Sequence, residues 1–120
     1  MADVTIYHNP GCSKSRGALE ILRERGTDIE VREYLQEPLG RASLEAALQR
    51  LPDAPAELVR KDKRFKELGL EAGDYVDADA VVGLLLAHPE LMQRPVVLRG
   101  DRAVIARPSE RVLEILENPR

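Results

Sequence analysis

Hydrophobic residues in the first third of the chain follow a strand, helix, strand pattern. Residues 4–7 are rich in β-formers and stop at the turn cluster of residues 9–11. From residue 13 to 25 the apolar residues lie on one helical face, and Gly26 follows as a C-cap. Residues 29–32 then alternate between apolar and charged, as a second strand does. Because a strand, a helix and a strand in about 30 residues form a crossover unit, the pattern predicts two parallel strands.

The middle of the chain, from about residue 40 to residue 91, has helical rather than strand periodicity. Ser43 can cap the first helix of this block, which ends at a proline. A short helical segment follows, and the basic, polar residues 61–64 predict a loop. Asp77 or Asp79 can cap the last helix, which carries a row of valines and leucines. The pattern therefore predicts a helical block between two regions that form strands.

Two β-rich runs in the last third, residues 96–98 and 103–105, flank a Gly-Asp turn and predict an antiparallel hairpin. Pro108 and Ser109 then begin a last helix with one apolar face. The predicted fold class is therefore α/β: a thioredoxin-like mixed sheet flanked by helices, with the helical block inserted between the βαβ unit and a C-terminal ββα unit. We expect one domain over residues 1–120, since a chain of 120 residues is too short for two normal cores.

Charge and composition exclude several classes of function. The formal net charge of −3 points to neither a nucleic acid nor an anionic membrane surface as partner. No apolar run reaches the roughly 18 residues of a membrane span, and the N-terminal residues lack the features of a signal peptide. One cysteine cannot form an internal disulfide, so we expect a protein of the reducing cytoplasm. No Cys/His cluster has ligand spacing, so we expect no metal and no tightly bound cofactor.

The single cysteine, Cys12, lies at the predicted turn between the first strand and the first helix. Backbone N–H groups at a helix N-terminus carry about half a positive charge, which stabilises a thiolate. His8, just before the turn, could add a further charge or donate a hydrogen bond. Lys14 and Arg16 either steer an anion toward the thiol or are merely exposed on the helix. Since each unit of pKa lowering needs only about 1.4 kcal/mol, we predict a reactive thiolate rather than a cysteine packed as a small hydrophobe.

Cys12 begins neither of two common cysteine motifs. A dithiol redox centre would have the pattern Cys-x-x-Cys, but position 15 is Ser15. A tyrosine-phosphatase-type loop would have the pattern Cys-x5-Arg, but the sixth residue after Cys12 is Ala18. The sequence therefore predicts monothiol chemistry with an external thiol partner, and any oxyanion bound at Cys12 must be held by cations from other segments.

Short motifs along the whole chain resemble those of the glutaredoxin-dependent arsenate reductases, the ArsC family. The matching segments are, in chain order, residues 6–10 with Cys12, 15–16, 58–61, 67–70, 88–89, 94–95, 107–110 and 112–116. Their combination is more specific than any one of them. The resemblance implies a thioredoxin-like fold and a reaction in which Cys12 attacks arsenate. It also implies glutathione as co-substrate and glutaredoxin as protein partner, in arsenic detoxification.

The same resemblance implies roles for residues that lie far apart in the sequence. By position, the three arginines that would hold the oxyanion are Arg60, Arg94 and Arg107. The histidine that would assist the thiolate is His8, and Pro95 would be the cis-proline of thioredoxin-like proteins. A planar guanidinium group matches two oxygens of a tetrahedral oxyanion such as arsenate. Arg94 and Arg107 stand beside prolines at the ends of predicted strands, whereas the role of Arg60 depends more on the resemblance.

Two other functions are alternatives. Ser13 and Lys14 stand where the best-characterised arsenate reductases carry smaller, uncharged residues, so a glutathione-dependent thiol oxidoreductase with another substrate is one alternative. The other is a regulator that resembles Spx, which binds RNA polymerase and senses oxidants, usually through Cys-x-x-Cys. Ser15 in place of the second cysteine argues against a disulfide switch of that kind.

Overall fold

The computed structural model describes residues 3–116. The regular elements are, in chain order, β1 (Val4–His8), α1 (Ser13–Glu24), β2 (Ile29–Glu33), α2 (Arg41–Arg50), α3 (Lys63–Glu67), α4 (Ala78–Ala87), β3 (Val96–Arg99), β4 (Arg102–Ile105) and α5 (Leu113–Leu116). Short 3-10 helices lie at Pro55–Leu58, Ala72–Asp74, Pro89–Leu91 and Ser109–Val112. The order is a βαβ unit, a helical block and a ββα unit, as the hydrophobic pattern predicted.

The four strands form one mixed sheet in the order β2-β1-β3-β4. β1 pairs with β2 in parallel, from Val4 opposite Ile29 to His8 opposite Glu33, which confirms the predicted crossover unit. β3 runs antiparallel to both β1 and β4, which confirms the predicted hairpin. As a result, β1, β2 and β4 end, and β3 begins, at one edge of the sheet.

Helices cover both faces of the sheet, and each face has its own apolar cluster. On one face, α1 and the C-terminal helical turns pack on alternate strand residues such as Val4, Ile6 and Val97. On the other face, the helical block packs on Tyr7 and Val96. This alternation follows from the period of two residues in a strand. The arrangement is the thioredoxin-like fold with a helical insertion.

Two details of the helical block differ from the sequence prediction. Ser43 is not a cap, because α2 begins at Arg41 with Gly40 at the N-cap position. Burial raises the pKa of Tyr7, and the Ser43 side chain near its phenol opposes this effect. Residues 63–64 are helical rather than loop, since Asp62 accepts the backbone N–H of Phe65 and so caps α3.

Asp77, rather than Asp79, is the residue that caps α4. Its carboxylate accepts the backbone N–H of Ala80 at 2.8 Å. At the end of α1, Gly26 has a φ of 68°, a left-handed conformation that glycine adopts without steric cost. Within residues 3–116, no helix combines the length and the apolar character that crossing a membrane requires.

The close contact between α1 and the segment after β4 depends on Gly17. A Cβ atom at Gly17 would lie 2.6 Å from Ser109 Oγ and 3.2 Å from Ser109 Cβ. Ser109 Oγ donates a hydrogen bond to the Lys14 carbonyl oxygen at 2.8 Å. The side chain therefore cannot turn away from an added methyl group without losing this bond. The absence of a side chain at Gly17 thus allows the C-terminal segment to pack closely against the first turns of α1.

Alanine at two helical glycines should have opposite effects on stability. Gly83→Ala in α4 meets no atom within 4 Å, so it should raise the free energy of unfolding by about 0.5–1 kcal/mol. Gly17→Ala should lower the free energy of unfolding. The cost of overpacking against Ser109, typically about 1–3 kcal/mol, exceeds the gain from replacing a helical glycine by alanine. Urea unfolding of both variants measures the difference. Equal stabilisation by the two substitutions would show that the contact with Ser109 is not tight.

Candidate active site

Cys12 is the N-cap residue of α1, and its side chain is partly exposed. The turn that leads to it is held by local hydrogen bonds. The Cys12 N–H donates to the Asn9 carbonyl oxygen at 3.0 Å, and the Gly11 N–H donates to Asn9 Oδ1 at 2.9 Å. On the other side, the Arg16 N–H donates to the Cys12 carbonyl oxygen at 3.0 Å. These bonds fix the thiol at the N-terminus of the helix.

The environment of Cys12 favours the thiolate. Burial alone would raise the pKa of the Cys12 thiol. The backbone N–H of Ser15, the Arg94 guanidinium and the backbone N–H of Lys14 outweigh this effect and lower the pKa to about 7. A substantial fraction of Cys12 is therefore ionised at neutral pH, and ionised cysteine is the nucleophilic form.

Arg94 and Arg107 meet at Cys12 from the two segments that flank the hairpin. Arg107 Nη1 donates to Cys12 Sγ at 3.8 Å and to the Arg94 carbonyl oxygen at 3.0 Å. The Arg94–Pro95 peptide bond is cis, as the resemblance implied, and so is the Arg107–Pro108 bond. The structure thus brings two of the three sequence-predicted arginines to the thiolate, and an oxyanion there would meet two positive charges.

Arg60 belongs to the segment before α3. Its backbone N–H donates to the Leu91 carbonyl oxygen at 2.7 Å, which aligns it with the segment that leads into Arg94. Its side chain forms an ion pair with Asp62, with 3.0 Å between Nη1 and Oδ2. The charge of Arg60 acts on the phenol of Tyr34 and lowers its pKa against the raising effect of burial. The guanidinium of Arg60 is therefore held by a carboxylate, and its charge acts on Tyr34.

His8 and Ser15 form a buried pair beneath the Cys12 turn. His8 Nδ1 and Ser15 Oγ lie 2.6 Å apart, and Ser15 Oγ also accepts the Asn9 N–H at 3.0 Å. Burial lowers the pKa of His8, and the positive charges of Arg23 and Arg16 add to this, while Glu33 opposes it. His8 is therefore neutral at neutral pH, and the hydrogen bond that it makes is with Ser15 rather than with the Cys12 thiol.

Neither Lys14 nor Arg16 places its charge on the thiol in this structure. Lys14 lowers the pKa of Cys12 through its backbone N–H, and its side chain is exposed. Arg16 Nη1 donates to the Pro10 carbonyl oxygen at 2.8 Å, so it braces the turn. Over residues 3–116, no group of three or more His, Cys, Asp or Glu side chains is arranged to hold a metal ion.

Comparison with known proteins identifies the family of this chain. The model of the ArsC family matches residues 7–115 of the chain. The chain belongs to the ArsC family. It is 41% identical to the arsenate reductase of Neisseria meningitidis serogroup A, over 97% of this chain and 100% of that protein. It is also 43% identical to the uncharacterized protein YfgD of Escherichia coli K12, over 94% of this chain and 96% of that one.

A solved structure supports the membership of the ArsC family at the level of the fold. The arsenate reductase from Vibrio cholerae superposes with a TM-score of 0.84 at 37% sequence identity. The match covers 95% of this chain and 98% of that one. The thioredoxin-like sheet with its helical insertion is therefore the ArsC arrangement, as the resemblance implied.

One residue near the ArsC-type cysteine was not identified from the sequence. Tyr34 follows β2 and is almost fully buried, and the charges of Arg94, Cys12 and Arg60 all influence its pKa. No motif marks it. Its only signal in the sequence is that it comes directly after a strand predicted to lie parallel to the one before Cys12.

The rate of Cys12 alkylation by iodoacetamide should follow a pKa of about 7, because only the thiolate reacts. The rate should therefore rise as the pH increases through neutrality and level off above it. Arg94→Ala should move the transition up toward the free-thiol value of about 8.5, because the thiolate loses a hydrogen bond and a positive charge. The control is Arg41→Ala, which removes an exposed arginine of α2 and should leave the profile unchanged. A wild-type transition at or above about 8.5 would contradict the activation of Cys12.

Proposed function

We propose that the protein is an arsenate reductase that uses Cys12 as its nucleophile. The observation that carries the proposal is the contact between a thiol of lowered pKa at a helix N-terminus and the guanidinium of Arg107, with Arg94 beside it. Relatives named arsenate reductase align with nearly the whole chain, which supports the same substrate here.

The arrangement suits the attack of one anion on another. Arsenate is a tetrahedral oxyanion, and a thiolate that approaches it meets electrostatic repulsion. Guanidinium groups bind two oxygens at once and offset the negative charge. Backbone N–H groups at the start of α1 add partial positive charge at the same place. Arg94 and Arg107 can therefore hold arsenate against Cys12 and stabilise the charge that develops during attack.

The proposed reaction has three steps. The Cys12 thiolate first attacks arsenic and displaces water or hydroxide, which forms a sulfur–arsenic bond while arsenic stays pentavalent. The thiol of glutathione then loses its proton, and its sulfur bonds to the sulfur of Cys12. The sulfur–arsenic bond breaks, and its electron pair remains on arsenic, which leaves as arsenite. Finally, glutaredoxin reduces the Cys12–glutathione mixed disulfide by thiol exchange.

An external thiol is needed because position 15 is a serine rather than a second cysteine. A Cys-x-x-Cys enzyme resolves its intermediate with its own second thiol, but this chain has Ser15, fully buried and bonded to His8. Glutathione and glutaredoxin are thiol reductants of the reducing cytoplasm, where we place the reaction. The same feature argues against a regulator that senses oxidants through an internal disulfide.

Alanine at the site arginines should lower catalytic efficiency for arsenate. Arg94→Ala and Arg107→Ala should each reduce kcat/KM by about 10- to 150-fold, because a charge-assisted contact in such a site contributes about 1.5–3 kcal/mol. Arg60→Ala should lose at least as much if its guanidinium leaves Asp62 to hold the adduct. Lysine at these positions should restore part of the activity, since it supplies charge without the bidentate geometry.

The assay is arsenate-dependent NADPH oxidation coupled through glutathione, glutaredoxin and glutathione reductase. Arg41→Ala is the matched control, because Arg41 pairs with Glu45 and Asp79 at 3.6 Å on the helical block. It should retain wild-type efficiency, and circular dichroism should show that all variants are folded. Wild-type efficiency in both Arg94→Ala and Arg107→Ala would contradict the proposed function.

A further inference from the structure

Tyr34 occupies a position at the edge of the sheet where Cys12 also lies. It is the residue directly after β2, which ends at Glu33. Glu33 is in register with His8, the last residue of the parallel strand β1. Since parallel strands end at the same edge of a sheet, the segment after β2 lies beside the turn after β1, which carries Cys12.

The ring and the hydroxyl of Tyr34 have different surroundings. The residue is only 1% exposed, and its ring belongs to the apolar cluster between the sheet and the helical block. The hydroxyl oxygen is itself buried, and it makes no hydrogen bond of good geometry among the residues the structure describes. The nearby Arg94 guanidinium can only donate to it, so the hydroxyl proton has no acceptor there. Buried tyrosine hydroxyls usually have a partner, because an unpaired one loses its bonds to water without compensation. The apolar packing of the ring therefore explains where Tyr34 lies but not why a hydroxyl is there.

Two of the charged groups near the hydroxyl, Arg94 and Arg60, can only donate hydrogen bonds, and the third, Cys12, does not accept one from it. Burial raises the pKa of Tyr34, while the guanidinium groups of Arg94 and Arg60 lower it and Cys12 raises it, so all three groups lie near the phenol. Because the net pKa is above its usual value, the hydroxyl keeps its proton at neutral pH. Arginine has no acceptor atom. Arg94 Nε is likewise buried without a partner, so two donors at this site lack an acceptor.

We propose that the Tyr34 hydroxyl donates a hydrogen bond to an oxygen of the oxyanion bound beside Cys12. An anionic oxygen is the acceptor that both Tyr34 and Arg94 lack, and a hydroxyl bonded to such an oxygen makes a strong, charge-assisted bond. This inference rests on the proposed function only in naming arsenate as the oxyanion. Binding of inorganic phosphate, which has the same tetrahedral shape, tests it without any turnover.

The experiment compares Tyr34→Phe with the wild type by phosphate protection of Cys12. Bound phosphate should shield the thiolate from iodoacetamide, so the phosphate concentration for half-protection reports binding. In Tyr34→Phe this concentration should rise by about tenfold or more, the usual effect of losing a hydrogen bond to a charged group. The alkylation rate and its pH profile without phosphate should not change, because Tyr34 does not hydrogen-bond the sulfur.

Tyr7→Phe is the matched control. Tyr7 is also buried in the apolar cluster that contains Tyr34, but the groups that act on its phenol are Arg32, Ser43 and Arg50 rather than Arg94 and Cys12. Tyr7→Phe should leave phosphate protection unchanged. Tyr34→Phe should keep the wild-type thermal stability, because no described residue accepts a hydrogen bond from its hydroxyl. A purely structural role of Tyr34 would instead lower the thermal stability of Tyr34→Phe and leave its phosphate protection unchanged.

Four outcomes separate this inference from the proposed function. Weaker protection in Tyr34→Phe supports the inference even if the wild type reduces no arsenate. Unchanged protection in Tyr34→Phe overturns it, even if arsenate is reduced. A higher Cys12 pKa with unchanged protection also overturns it, because Tyr34 would then act on the thiolate. If neither phosphate nor arsenate protects wild-type Cys12, there is no oxyanion for Tyr34 to bind, and the inference is wrong.

Discussion

The directions of the four strands determine where the polar groups of this protein meet. β1 and β2 run parallel, and β3 enters between β1 and β4 in the opposite direction, so one edge of the sheet collects three strand ends and one strand start. The segments at that edge carry Cys12, Tyr34, Arg94 and Arg107. Cys12 and Arg107 are 95 positions apart in the sequence and only 3.8 Å apart in space. A change of pairing that moved β1, β3 or β4 would separate the thiol from its cations.

The groups around Cys12 at this edge of the sheet stabilise negative charge. Backbone N–H groups of α1 and the guanidinium of Arg94 stabilise a negative sulfur, and Arg107 lies against it. The same groups are able to bind a negative oxyanion, so the site favours two anions in contact. His8 does not add to this charge, because burial keeps it neutral, and it serves instead to hold Ser15 beneath the turn. The proposed chemistry depends on this concentration of donors more than on any general base.

The sequence predicted the elements whose periodicity is local and missed the contacts that depend on tertiary structure. The βαβ unit and the hairpin followed from alternation and turn residues, and Cys12 stood out because its flanks are polar. Tyr34 was missed because its packing is that of any core tyrosine, and only the fold reveals that its hydroxyl lies among arginines. Ser43 was misassigned as a cap because α2 begins two residues earlier, at Arg41, with Gly40 as its N-cap.

In the proposed mechanism, Cys12 acts as a monothiol whose intermediate is resolved by glutathione. The decisive experiment is an intact-mass measurement of the protein during incubation with arsenate and glutathione. One glutathione should be bound through a disulfide to Cys12, and it should be absent when arsenate is omitted and in Cys12→Ser. Efficient arsenate reduction with thioredoxin alone, with no glutathione present, would show that this mechanism is wrong, because Ser15 offers no internal thiol to complete the reaction.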